Sequence, residues 1–252
     1  MQNLPSPSRL LFGVMLFSVF TVYSAPSSAL QPLVTDDTGT TGAGGNQIEV
    51  SFDRERTRWR NEEGKRESER VTSVPVTYTY GLTENLDIFA GIDYSRVRVS
   101  GEDDANGFGS TVVGGKWRFF ENEASGTSLA VSSEIAIPVS SRRENGGLGV
   151  GKTSAGLNFI LSQELPFGEI HFNAGIGRER FRDSEENATN RNFSVAPVWN
   201  VSEQWKLALD VGIDLSRSGG NTVRSRFAEI GAIYSLSEGV ELAIGYIHAT
   251  TD

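Results

Sequence analysis

Trp205-Lys206-Leu207-Ala208-Leu209-Asp210-Val211-Gly212-Ile213-Asp214-Leu215 alternates without a break: the odd positions are large and apolar, the even ones small or charged. A period of two belongs to a β-strand whose two faces meet different surroundings. A helical reading would turn Lys206 and Asp210 onto the apolar face. From Trp205 to Leu215 there are ten residue steps. At ~3.3 Å per step and a tilt of ~40° they rise roughly 25 Å, the height of the lipid-facing band of a transmembrane barrel.

Ten more stripes of this kind surround it, among them Ile48/Val50/Phe52, Val74/Val76/Tyr78/Tyr80, Leu86/Ile88/Ala90/Ile92/Tyr94 and Ile170/Phe172/Ala174/Ile176. The links between stripes alternate in length. Long, charged or Gly-rich links fall at about 60–69, 99–107, 140–151, 183–191 and 217–223, and tight turns such as Thr83-Glu84-Asn85 and Ser202-Glu203-Gln204 fall between them. Long loops at one end and short turns at the other are the outer-membrane pattern. The expected fold is therefore all-β, an antiparallel transmembrane β-barrel of about 12 strands. Eleven strands are visible in the sequence, and bacterial single-chain barrels use an even number. The expectation is that a last, descending strand is missing after His248-Ala249-Thr250-Thr251-Asp252, with the N-terminal leader as the alternative source of it.

The N-terminus agrees with export. Arg9 precedes an apolar run from Leu10 to Tyr23, and Ser27-Ser28-Ala29 supplies the small residues of a cleavage site. Residues 1–29 thus read as a signal peptide, 30–46 as an extended periplasmic leader and 47–252 as the barrel. The chain has no cysteine, which removes disulfides, thiolate metal sites and a Cys nucleophile. Its net charge of -9 argues against nucleic acid as a partner. A hydrophobic content of 38% suits a barrel, which needs apolar residues only at alternate strand positions.

Two patterns on the apolar parity point to lipid rather than a soluble core. At the short-turn end Tyr78, Tyr80, Trp117, Phe119, Trp199, Trp205 and Tyr234 form an expected aromatic girdle. At the long-loop end the same parity turns to arginine: Arg54, Arg56 and Arg58, then Arg96 and Arg98, Arg178 and Arg180, and Arg226. Guanidinium groups bind phosphate bidentately, so these residues are expected contacts for lipopolysaccharide in the outer leaflet. A solvated, charged rim is the plainer reading.

The polar parity supplies the expected lumen: Glu49, Asp53, Asp87, Asp93, Lys116, Arg118, Glu134, His171, Lys206, Asp210, Asp214 and Glu229. Carboxylates outnumber cations there, so an open pore would favour cations. The same side chains could equally pair across the lumen and fill it.

Motifs for chemistry are weak. Gly146-Gly147-Leu148-Gly149-Val150-Gly151-Lys152-Thr153 fits a phosphate-loop pattern, but a strand-like stretch follows it where a helix N-terminus is required. With His171 and His248 as the sole histidines, no metal-binding spacing is present. No catalytic residue, metal site or cofactor is expected.

The run Gln31-Pro32-Leu33-Val34-Thr35-Asp36-Asp37-Thr38-Gly39-Thr40, followed by Gly42, Gly45 and Gln47-Ile48-Glu49, resembles the start of the MetA-pathway of phenol degradation family. That resemblance implies an outer-membrane barrel proposed to pass small, aromatic or hydrophobic compounds, and it brings no catalytic residues. Val34, Thr35, Asp36, Asp37 and Thr38 carry it, and their role is left open between a periplasmic plug and a partner contact. Asp36 and Asp37 read as an Asp-rich turn, with cation binding as the alternative. The expected function is passive passage of small solutes. A structural barrel contacting lipopolysaccharide is the second reading and an outer-membrane lipid hydrolase the third. The oligomeric state is not legible.

Overall fold

A computed structural model describes residues 10–17, 32–60 and 64–251, the first of these spans by its backbone alone. The eleven stripes become β2 (Asn46–Arg60), β3 (Arg66–Thr83), β4 (Leu86–Val99), β6 (Val112–Asn122), β7 (Thr127–Ala136), β8 (Lys152–Leu165), β9 (Gly168–Arg180), β10 (Ala188–Asn200), β11 (Trp205–Ser218), β12 (Asn221–Ser237) and β13 (Val240–Thr251). Two strands join them: β1 (Leu10–Phe17) near the N-terminus and the short β5 (Ala105–Phe108), which pairs with the outer end of β4. One helical turn, α1 (Ser141–Asn145), interrupts the long β7–β8 link.

Neighbouring strands are antiparallel throughout, and pairing of β3 with β4 and of β13 through β1 to β2 closes the sheet into a ring. Closure removes the free edges that an open sheet would present to lipid. β1 takes the twelfth place and runs downward, with Leu10 opposite Thr250 and Leu16 opposite Ile244. Residues read from the sequence as the apolar part of an export signal thus stand where the missing strand was expected. The rest of that segment, with the cleavage position after Ala29, lies outside the described residues.

The parity assignment is visible in the exposure of the side chains. Ile88, Trp117, Leu157, Phe193, Leu207 and Ile230 point outward and are exposed, while Asp87, His171 and Asp210 on the other parity are buried. At the short-turn end the aromatic girdle is formed, with Trp205 against Tyr234 at 4.7 Å and Phe167 stacked on Trp199 at 6.0 Å between ring centroids.

Two expectations about the links need correction. The ladder continues through residues 54–60 and 66–72 and again to Ser218, so the β2–β3 and β11–β12 links are far shorter than their charge suggested. Charged residues kept the alternation and the backbone kept its hydrogen bonds, so water above the membrane did not end the strands. The inner face is also less polar than expected near the short turns. Ala130, Ile160, Ala196, Val198, Ala208 and Ile233 lie there and are buried.

Candidate functional site

The leader expected in the periplasm lies inside the ring. From Pro32 to Thr41 it crosses the lumen from β12 and β13 to β4, held by side chains on the inner parity. Pro32 sits over Gly231 and Gly245 of β12 and β13, where a Cβ would come within 3.0 and 2.7 Å of its ring. Leu33 packs on Val198 and Ala208 of β10 and β11.

Two Thr–Asp clamps fix the segment. Thr35 donates its backbone N–H to Asp210 Oδ2 and its hydroxyl to Asp210 Oδ1, both at 2.7 Å, and its Oγ1 also lies 2.7 Å from Ser194 Oγ. Thr41 repeats the arrangement on Asp87, with N–H to Oδ2 and hydroxyl to Oδ1 both at 2.9 Å. Each carboxylate accepts through both oxygens, which is what a buried Asp requires. Between the clamps, Asn173 binds the Asp36 peptide on both sides, accepting from its N–H at 3.0 Å and donating to its carbonyl at 2.7 Å. Asn173 thereby acts as a neighbouring strand would.

Lys116 supplies the charge match. Its Nζ is 2.8 Å from Asp36 Oδ1 and 3.0 Å from the Asp37 carbonyl, with Asp37 Oδ1 at 3.8 Å. Asp37 also accepts from the Gly39 N–H at 2.6 Å, so the Asp pair forms a turn whose cation is a lysine of the wall. Among the described residues no group of three or more His, Cys, Asp or Glu could hold a metal ion.

Further along, Thr38 receives support from two serines. Its N–H donates to Ser162 Oγ at 3.1 Å and its Oγ1 lies 2.5 Å from Ser128 Oγ. Ser162 is in turn 2.7 Å from His171 Nδ1, and Glu169 stands 3.5 Å from Nε2. This Ser–His pair is on the lumen face, with Thr38 above it and His171 fully buried. The segment then leaves through Gly42 and Gly44, both at positive φ. Gly81 is required beside them, because a Cβ there would meet the Gly42 carbonyl oxygen at 1.8 Å.

Of the lumen residues expected from sequence, Asp87, Lys116, His171 and Asp210 meet at this segment, and Glu229 faces the Val34 backbone. Glu49 and Glu134 line the cavity next to it. Asp53, Asp93 and Asp214 lie toward the long-loop end, where Ser95 hydrogen-bonds Asp93. Lys206 lies two residues before Ala208 on the inner parity of β11 and acts electrostatically on His171. Arg118 sits at the short-turn rim, donating to the Glu84 carbonyl at 3.2 Å and paired with Glu121 at 3.2 Å. Ser128, Ser162 and Ser194 were not singled out by sequence. Their one signal is that each is a hydroxyl on the inner parity.

The segment forms the floor of a cavity of about 580 Å³. Phe89, Val34 and Leu33 give it apolar surface, Lys116, Glu134, Asn158, Asn190 and Asn192 give it polar groups, and Val150 of the β7–β8 link reaches it from the long-loop side. That link is latched. Glu144 of α1 accepts from the Arg182 N–H at 2.7 Å and pairs with its guanidinium, which also donates to the Val139 carbonyl at 2.7 Å. The Arg182 N–H and guanidinium hold the Glu144 carboxyl below its ordinary range. The Gly-rich run 146–151 belongs to this latched link, and β8 rather than a helix follows it.

A closed antiparallel ring with an apolar outer band, an aromatic girdle and a partly filled polar lumen defines an outer-membrane β-barrel. The chain belongs to the family described as "Putative MetA-pathway of phenol degradation", whose model matches residues 31–252. No curated protein matches the sequence. Among solved structures, an outer membrane channel from Pseudomonas putida F1 shares the fold at a TM-score of 0.53 and 13% identity, over 100% of this chain and 97% of that one. The P. putida toluene transporter TodX is similar at a TM-score of 0.42 and 12% identity, covering 98% of this chain and 89% of that one. A monoaromatic hydrocarbon channel, CymD, gives 0.41 and 11%, covering 100% and 89%.

Proposed function

We propose that this barrel passes small aromatic or hydrophobic solutes passively across the outer membrane, and that its N-terminal segment sets the aperture. The observation that carries the proposal is the clamped segment beneath the cavity: ten residues, 32–41, are fixed across a lumen that otherwise offers a polar path. The cavity above it falls within the roughly 300–1,000 Å³ of small-molecule sites. Apolar surface at Phe89, Val34 and Leu33 beside amide and charged groups suits an aromatic ring carrying one hydroxyl. The family description, which names phenol degradation, points to the same solute class.

Passive transport needs no cofactor and no nucleophile here. The Ser162–His171 pair supports the segment, with Ser162 accepting from the Thr38 N–H.

Proteoliposomes loaded with a reporter for phenol provide the test. Wild-type protein is expected to admit phenol faster than glucose, and protein lacking residues 32–41 is expected to admit both. A folded barrel that admits neither solute with or without the segment would overturn the transport reading in favour of a structural barrel.

A further inference from the structure

Three arginines stand in a row across three neighbouring strands. Arg56 of β2 is directly opposite Arg70 of β3, and Arg70 is directly opposite Arg98 of β4. Such partners have Cβ atoms about 5 Å apart, and like charges so placed repel. Arg54 and Arg58 flank the row on β2 and Arg96 flanks it on β4, all on the outward parity. The guanidinium groups of Arg58, Arg70 and Arg54 all act electrostatically on Arg56. Among the described residues, arginine opposite arginine occurs on this flank alone, although Arg180 of β9 stands opposite Lys152 of β8. Arg178 faces Ala155 and Thr189, and Arg226 faces Ile213 and Thr250, with no arginine directly opposite.

The row has only part of the anion it needs. Asp104 bridges its upper corner, with Oδ2 2.6 Å from Arg96 and 2.9 Å from Arg98. On the Arg56–Arg70 side the Nε atoms of both residues are buried and lack a hydrogen-bond partner among the described residues. A fork of guanidinium donors closed by one carboxylate at one end and open at the other fits a group with several anionic oxygens. Its height is informative as well. From Leu86 to Arg96 is ten residue steps along β4, the same rise as Trp205 to Leu215, so the arginines begin where the apolar band ends on the outer side.

We propose that Arg54, Arg56, Arg70 and Arg98 form a phosphate site on the β2–β4 flank, occupied by lipopolysaccharide of the outer leaflet. An outer-membrane barrel exposes this flank to a leaflet whose lipid carries phosphate at that depth, and the apolar stripe from Ile88 to Tyr94 below it takes the acyl chains. The site is independent of the solute path, because the outward parity does not reach the lumen.

Full-length protein with all four residues changed to Gln, R54Q/R56Q/R70Q/R98Q, keeps polarity and removes charge. Phosphate carried by lipopolysaccharide that co-purifies per barrel is expected to fall about tenfold or more, because each hydrogen bond to a charged group contributes on the order of a factor of ten. The matching Arg→Lys set is expected to retain an intermediate amount. R178Q/R180Q is expected to stay near wild type. Added lipopolysaccharide should raise the melting temperature of the wild type, whereas inorganic phosphate or dephosphorylated lipid should not. Stabilisation by inorganic phosphate alone would replace the lipid with a free-anion site. Wild-type lipopolysaccharide content in the folded quadruple variant, judged by heat-modifiable migration, would reduce the arginines to a solvated rim.

Discussion

Leu209 and Asp210 are bonded neighbours on β11, yet they obey opposite rules. Leu209 is 36% exposed on the outer face, and Asp210 is fully buried and grips Thr35 with both oxygens. Around the whole ring the outer band uses Ile, Leu, Val and Phe interchangeably, since lipid asks only for apolar surface. The inner face is particular: under the N-terminal segment Asp87, Lys116, Asn173 and Asp210 each hold a specific group of that segment, because an unpaired polar group is costly there. One alternation therefore encodes a solvent on one side and a lock on the other.

The widest separation between the two faces should come from deleting residues 32–41. Single-channel conductance in planar bilayers is expected to rise several-fold with the heat-modifiable barrel intact. An unchanged conductance would place the constriction elsewhere on the inner face.

Paired substitutions probe the contrast at neighbouring positions. Leu209→Asp should lower the yield of folded barrel, at a cost below the ~2–4 kcal/mol of Arg or Lys at the bilayer midplane. Asp210→Leu should fold and release the segment, seen as larger, flickering openings, since it removes two charge-assisted bonds of about 1.5–3 kcal/mol each. Equal loss of folded protein in both variants would erase the distinction.

Lys116→Met sharpens the inner face further. It strips the cation from Asp36 and Asp37, so the reversal potential in a salt gradient should shift toward stronger cation selectivity. A shift toward anions would show that Asp36 does not face the solute path.

The smallest effect belongs to the latch at the long-loop end. Because Glu144 titrates below its ordinary range, its support for the closed β7–β8 link is full above that range and is lost only as pH falls through the lowered value. Hydrogen-exchange protection at residues 137–151, relative to the unstructured rate at the same pH, should therefore persist at a pH that half-protonates ordinary glutamates and fall under stronger acid. Glu144→Gln should exchange fast at neutral pH.

The wall was legible because a period of two is a local signal, complete within a short stretch such as 205–215. The lock was not. Thr35 and Asp210 are separated by 175 positions, and nothing near either one names the other. Val34 to Thr38 stood out as a motif, but Thr-Asp-Asp-Thr has the composition of a surface turn, and only the closed ring shows that it is interior. The inner apolar patch at Ile160, Val198 and Ile233 was hidden for another reason: on a stripe judged by its polar members, a few Ile and Val pass as noise. Residues 60–69 read as loop because charge was taken for the end of pairing, whereas the ladder runs on to Arg60 and Arg66.

The point where the segment joins the wall has a consequence for assembly. It meets β2 at Asn46, at the short-turn end, after the glycines at 42, 44 and 45. Because β1 precedes the segment and also belongs to the wall, the segment is a loop held by the wall on both sides, and it can enter from that mouth without any chain end being threaded through the finished cylinder. The barrel can thus close first and admit its own occupant afterwards, and the occupant's way out leads toward the periplasm.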